Sequence, residues 1–286
     1  MTIPDGIFKA YDVRGLYPEE LDESAAERIG CALAQQLGAS RLGAGMDPRP
    51  SSTGLLEAFA AGAAAAGAST VDFGLVPTEM LYFGVASRRL DGGAMVTASH
   101  NPPQYNGMKL VGEGALPLSG DAGIPELKER SQALADLPAR GAGTSIERLD
   151  LYPSYVEHLH HLVDVTAFRP YKVVMDAANG VAGKLAPLVF RTTALDCIEM
   201  YFEVDGTFPN HEPNPLLEEN SREIRERVLA EKADLGIAWD GDADRCFFID
   251  ETGEFVPGDF VTALLAEALL ARHPGAAILY DLRASR

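Results

Sequence analysis

Apolar positions recur along this chain with a helical period in some stretches and as short unbroken runs in others. From Glu23 to Leu37 they fall at Ala26, Ile29, Leu33 and Leu37, which predicts an amphipathic helix. Arg41 to Met46 predicts a strand, and Ser51 and Ser52 are placed to cap a helix running towards Ala66. Thr70 to Phe73 predicts a strand, and Pro77 opens a helix to about Arg88. Ala94 to Thr97 and Met108 to Val111 predict strands on either side of a loop, and Glu126 to Leu134 predicts a helix. Pro138 to Thr144 contains glycine and proline but no large apolar residue, and reads as a linker.

A second alternation begins at Tyr152. Lys172 to Met175, Cys197 to Phe202, Leu235 to Trp239 and Phe247 to Ile249 predict strands. Helices are predicted from the Asp176–Gly180 turn towards Phe190 and from Ser221 to Glu231. The chain then shows a helix pattern from Phe260 to Leu270 and a strand pattern from Ala276 to Tyr280. Repeated strand–helix alternation argues for an α/β class: two consecutive domains with mixed, largely parallel sheets flanked by helices. The expected domains are 1–137 and 145–250, with 251–286 opening an incomplete third. A strand after a crossover helix needs neighbours to cover its faces, and few residues follow Tyr280 to supply them.

At 286 residues, two domains are the ordinary expectation, and 47% hydrophobic residues suffice for sizeable cores. The formal net charge of −18 disfavours nucleic acid and anionic membranes as partners. The alanine-rich run Ala58 to Ala68 is too short to span a bilayer and contains Gly62 and Gly67, so a helix packed on a sheet is expected there. No secretory leader pattern opens the chain. Cys31, Cys197 and Cys246 are far apart in sequence, which predicts small buried residues in a reducing, cytoplasmic setting.

Two stretches carry chemistry. In Thr97 to Lys109 a serine, Ser99, is delivered to the end of a strand in a turn stiffened by Pro102 and Pro103, with His100 beside it. A serine hydroxyl is a weak nucleophile unless activated, and most loop serines only satisfy a turn. The second stretch places Asp240, Asp242 and Asp244 at alternating positions after the run Leu235 to Trp239, an oxygen-rich cup for a hard cation such as Mg²⁺. An acidic surface turn is the plainer reading. A calcium-binding EF-hand is excluded, because its sixth position requires glycine and here holds Arg245. A serine, a cation site and scattered Arg and Lys point together to phosphoryl chemistry. His158, His160 and His161 read as a solvated helix face, and Asn179-Gly180 as a plain turn.

These stretches resemble the α-D-phosphohexomutases, in the bacterial phosphomannomutase/phosphoglucomutase branch. Phe8 to Gly15, Asp47 to Ser52 and Phe208 to Pro215 are similar to further family loops, and the resemblance runs in order from about Phe8 onwards. It implies reversible phosphoryl transfer between C1 and C6 of glucose or mannose phosphates through a bisphosphorylated sugar, with Ser99 as the phosphoryl carrier. It also implies Mg²⁺ as cofactor, held by Ser99, Asp240, Asp242 and Asp244. Lys109 is expected to move a proton, its pKa lowered by nearby positive charge, while His100 orients the loop. Tyr11, Arg14, Arg49, Arg245 and Arg283 are expected to contact substrate or phosphate, and His211 and Asn214 to lie near the aspartates. The family more often shows lysine at the position of Arg283, so a proton-transfer role there is in doubt. The family's sugar-selecting loop and distal phosphate grip are expected beyond this chain. Two rivals stand beside this reading: a haloacid-dehalogenase-like phosphatase using Asp240 as nucleophile, and a catalytically incomplete half-molecule that binds metal and phosphate.

Overall fold

A computed structural model of the chain describes residues 3–134, 137 and 144–280. The first sheet contains β1 (Val13–Leu16), β2 (Arg41–Met46), β3 (Ser69–Leu75), β4 (Gly92–Val96), β5 (Tyr105–Gly112) and β6 (Ile146–Arg148). Their spatial order is β1-β5-β4-β2-β3-β6. β4, β2, β3 and β6 are parallel, while β5 runs antiparallel to both β4 and β1. Every residue of β4 is buried, as expected of a central strand covered on both faces.

The helices that cover this sheet are α1 (Glu23–Leu37), α2 (Ser52–Ala65), α3 (Thr78–Ser87), α4 (Ile124–Ala133) and α5 (Tyr152–Leu162). α1, α2 and α4 build one core with Ile29, Leu33, Leu55, Phe59 and Leu127. α3 and α5 build the other with Met80, Leu81, Val85, Tyr152 and Tyr155. α1 starts at Asp22, whose carboxylate accepts the Ala25 amide at 2.8 Å, and ends at Gly38 with φ 59°. The alanine-rich helix is explained by its neighbour as much as by the sheet. A Cβ at Gly62 would stand 1.7 Å from the Glu27 carbonyl oxygen, so α2 and α1 meet backbone to backbone.

The second sheet contains β7 (Lys172–Asp176), β8 (Asp196–Met200), β9 (Leu235–Trp239), β10 (Cys246–Asp250) and β11 (Phe255–Val256), in the order β11-β10-β9-β7-β8. β7 is parallel to β8 and β9, and the β9-β10-β11 edge is antiparallel. α6 (Ala182–Phe190) lies on the face of Val173, Met175 and Ile237, and α7 (Glu218–Glu231) buries Ile224 and Val228 against the other. α8 (Gly258–Arg272) follows and buries none of its residues.

Several expectations change. The expected linker lies outside the described residues except for Thr144. Ile146–Arg148, placed by the sequence at the start of the second domain, pairs with β3 as the edge of the first sheet, and Leu151, Tyr152 and Tyr155 join the first sheet's core. Three residues carry too little periodicity to announce such a strand, and β1 and β11 are missed for the same reason. Ser51 and Ser52 do not cap α2. Their hydroxyls accept from Asn106 Nδ2 at 2.8 and 3.0 Å, and Ser52 donates to Asp47 Oδ1 at 2.7 Å. Ala276 to Tyr280 forms no strand, and Leu279 is 93% exposed; among the described residues no strand edge pairs with it. Of the cysteines, Cys31 is buried but Cys197 is half-buried and Cys246 exposed. No helix among the described residues is long and apolar enough to cross a membrane.

Candidate active site

The two strand ends expected to carry chemistry meet. Ser99 lies just past β4 and Asp240 just past β9, each at the carboxyl end of a parallel strand, where α/β sheets bind ligands. Ser99 is fully buried with φ 55°, a left-handed conformation that is uncommon for a serine. Its Oγ donates to Asp240 Oδ2 at 2.7 Å. His100 Nδ1 lies 3.3 Å from Ser99 Oγ, and Arg245 Nη2 donates to Ser99 Oγ at 3.3 Å. The Ser99 amide donates to Thr97 Oγ1 at 2.8 Å, which fixes the turn.

Carboxylate oxygens of Asp240, Asp242 and Asp244 lie within 4.8 Å of one another. Burial and repulsion from Asp242 and Asp244 push the Asp240 carboxyl well above its ordinary range. Burial also works to raise Asp242, but Lys109 and the hydroxyls of Thr78 and Thr97 outweigh it and hold Asp242 low. Lys109 Nζ, on β5, donates to Asp242 Oδ2 at 2.5 Å and to Asp244 Oδ2. Burial would lower the Lys109 ammonium, yet the two aspartates raise it above its usual range. This reverses the expected direction, because the aspartates reach Lys109 directly. Burial, then Arg245 and Arg14, lowers His100 to about 4, so its imidazole is neutral near pH 7.

The arginines separate. Arg49 is completely buried, and all five of its N–H bonds are taken inside the protein. Nε donates to Asp47, Nη1 to the carbonyls of Pro102 and Tyr105, and Nη2 to those of Ser99 and Asn101, at 2.6–3.0 Å. No donor remains for a substrate phosphate, so the expected phosphate contact is corrected to a scaffold for the serine turn. Arg14 donates to Asn101 and Asp12 and keeps a buried Nε with no partner. Arg245 is 38% exposed on its side chain, 3.7 Å from Asp240 and Asp244, and is thus both partner of the aspartates and neighbour of Ser99. Tyr11 is 77% exposed and makes no hydrogen bond to the cluster. Arg283 lies outside the described residues. His211 pairs with Asp176 at 3.0 Å rather than with the cluster, and Asn214 accepts from the Leu216 amide in its own loop and from Asn220 Nδ2 of α7.

Sequence reasoning missed Thr78, Thr97, Asp47 and Glu79. Thr78 donates to Asp242 Oδ2 at 2.7 Å from the start of α3, and Thr97 bridges Asp47 and Asp242 at 2.8 and 3.2 Å. Burial and then Asp244 and Asp242 push the Glu79 carboxyl up to about 7. Thr97 and Asp47 stood inside quoted motifs without a role, whereas nothing local marks Thr78 or Glu79.

The profile for phosphoglucomutase/phosphomannomutase alpha/beta/alpha domain I matches residues 5–135, and that for domain II matches 153–253. The chain belongs to the phosphoglucomutase/phosphomannomutase family. A phosphohexose mutase of Xanthomonas campestris pv. campestris is 46% identical over 285 residues, covering 99% of this chain and 62% of the relative. A phosphomannomutase of Salmonella typhimurium is 44% identical over 96% of this chain and 62% of its own length. The crystal structure of a family protein from Burkholderia thailandensis superposes with TM-score 0.92 at 38% identity, covering 99% of this chain and 63% of that one. The chain therefore spans about 62% of the length of the curated relatives it matches.

The aspartate cluster suits the Mg²⁺ typical of this family. Asp242 Oδ1 and Asp244 Oδ1 are buried and lack any hydrogen-bond partner. Such acceptors are costly unless a cation or donor meets them. Three hard oxygens at mutual reach, with Ser99 Oγ beside them, match the oxygen coordination Mg²⁺ requires.

Proposed function

We propose that this chain carries the phosphoryl-transfer centre of a phosphohexomutase acting between C1 and C6 of glucose or mannose phosphates. The observation that supports it most is Ser99 Oγ, buried and 2.7 Å from Asp240 within a cluster suited to a divalent cation. In this reading a sugar hydroxyl attacks the phosphorus of phospho-Ser99, the Ser99 Oγ–P bond breaks, and a bisphosphorylated sugar forms. The attacking hydroxyl gives up its proton as the bond to phosphorus forms and Ser99 Oγ takes up a proton as it leaves, so the transfer is balanced in protons. After the sugar turns over, its other phosphate returns to Ser99. Mg²⁺, when bound, supplies charge stabilisation for the transferred group. Arg245 donates to Ser99 Oγ and steadies it as the leaving oxygen. Lys109 remains the proton-transfer candidate by its place between Asp242 and Asp244, entering as an ammonium. His100, neutral beside Ser99 Oγ, orients the turn. Three unpaired cysteines agree with a cytoplasmic setting.

The test is incubation of the chain with Mg²⁺ and glucose 1,6-bisphosphate, followed by intact-mass analysis and peptide mapping. Phosphate at Ser99, stable to hydroxylamine, is expected. Phosphate on Asp240, labile to hydroxylamine, would replace this reading with the phosphatase. Labelling of Ser99 without any sugar isomerisation would favour the half-molecule.

A further inference from the structure

Residues 205–213, in the second domain, lie across the Asp47–Arg49 turn of the first. A Cβ at Gly206 would stand 1.9 Å from the Pro48 carbonyl oxygen, so the two backbones meet there directly. Two residues on, Phe208 is buried with its ring facing the Arg49 guanidinium, whose central carbon lies 5.2 Å from the ring centroid. Phe208 has φ 51°, a genuine outlier for a bulky residue. Such a conformation persists only where the surroundings over-determine it.

The same ring reaches the aspartate turn. A Cβ at Gly241, between Asp240 and Asp242, would lie 3.4 Å from Phe208 Cζ, 3.3 Å from Pro213 and 2.8 Å from the Ser99 carbonyl oxygen. Arg49, which meets the same ring, donates to that Ser99 carbonyl at 3.0 Å and to Asn101 at 2.6 Å. Arg49 thus holds the serine turn with its edge and Phe208 with its face, and Phe208 abuts the aspartate turn.

We propose that Arg49 and Phe208 form a strut across the two domains that sets the spacing of Ser99 Oγ from Asp240, and that both are positioning residues for phosphoryl transfer. The proposal rests on the reading of Ser99 as phosphoryl carrier. Small displacements at a reacting centre are costly: a shift of about 1 Å can lower a rate about 100-fold. A positioning defect lowers the maximal rate and leaves ground-state binding nearly unchanged.

The test uses the whole chain as wild type, Phe208→Ala, Phe208→Tyr and Arg49→Lys. Each is read by the rate of Ser99 phosphorylation against glucose 1,6-bisphosphate concentration, by Mg²⁺ titration calorimetry and by thermal melting. Phe208→Ala is expected to lower the maximal rate about tenfold or more, with the half-saturating donor concentration within about twofold. Phe208→Tyr keeps the ring over Arg49 but sets a hydroxyl on Cζ against the Gly241 turn, and is expected to recover the rate in part relative to Phe208→Ala. Arg49→Lys keeps the charge but loses the planar fork, and is expected to behave like Phe208→Ala. A folded Phe208→Ala with a maximal rate within about twofold of wild type overturns the proposal. So does an effect confined to half-saturation. If Phe208→Ala does not fold, Phe208→Leu, which keeps apolar bulk without a ring face, takes its place under the same criteria. Absence of phosphate on wild-type Ser99 would defeat the mutase reading instead. Mg²⁺ affinity then decides the strut: weakening in Phe208→Ala upholds it, and unchanged affinity overturns it.

Discussion

Residues 99–105 and 240–245 are both turns at the end of a buried strand, yet their polar groups end in different states. In the serine turn the carbonyls of Ser99, Asn101, Pro102 and Tyr105 all accept from the one guanidinium of Arg49. That side chain is itself balanced by Asp47. In the aspartate turn, Asp242 Oδ1 and Asp244 Oδ1 are buried without a hydrogen-bond partner, Arg245 Nε standing 3.7 Å from Asp244 Oδ1, and Asp240 is driven towards its neutral form by burial and by its neighbours. The first turn is completed by the protein, so its serine is held still. The second has spare acceptors and excess negative charge, which a cation relieves. A nucleophile gains from rigidity, whereas a metal site gains from leaving ligand valences open.

The contrast can be broken from either side. The largest effect is expected for Ser99→Ala, which removes the oxygen that would carry phosphate. Phosphate uptake from glucose 1,6-bisphosphate should fall by on the order of 10³-fold or more. Intact-mass analysis checks this, and uptake near the wild-type level would place the carrier elsewhere.

Next is Arg49→Ala, which leaves four carbonyl groups without their donor and the buried Asp47 carboxylate without its counter-charge. Breaking such a buried pair costs about 3–5 kcal/mol, to be read by denaturant unfolding. A loss below about 1 kcal/mol would mean that the turn does not depend on this side chain.

On the other side, Mg²⁺ should stabilise the wild type, by about 2.7 kcal/mol at a concentration 100 times Kd. Asp242→Asn should weaken Mg²⁺ binding about tenfold or more, equal to about 1.4 kcal/mol. Unchanged affinity by calorimetry would remove Asp242 from the ligand set.

The smallest effect concerns His211, in the loop that backs the aspartate turn. Burial lowers its pKa, but the hydrogen bond and charge of Asp176 outweigh burial and leave it above 6.5. A pKa raised on folding means that the pair stabilises fully below about 6.5 and that its contribution is lost as pH rises through the folded value. The stability gap between wild type and His211→Gln should therefore be about 1 kcal/mol at low pH and shrink on moving to about pH 8. A gap that grows with pH would contradict the pairing.

Much of this was legible along the chain because it depends on local pattern. α1, β2, β4 and β9 follow from period and run length, and the serine and aspartate turns from what stands at the ends of β4 and β9. Their residue types already set a hydroxyl at one strand end and three carboxylates at the other. What was not legible depends on contacts distant in sequence. Ile146–Arg148 becomes a strand because β3 offers it an edge, and Ala276 to Tyr280 does not because no edge meets it among the described residues. Arg49 looked like a phosphate ligand by its motif. Only the folded turn, 50 to 56 positions away, shows that all its donors are spent.

The sequence by itself determined the alternation of elements, the two reactive turns and the family, since each is written in consecutive residues. The tertiary structure alone decided which side chains face which. It brought Ser99 to 2.7 Å from Asp240, turned Lys109 into the counter-charge of two aspartates, and set the Phe208 ring against both Arg49 and the Gly241 turn. Hydrogen bonds, ion pairs and ring contacts act over a few ångströms, and chain order sets no such distance between residues a hundred positions apart.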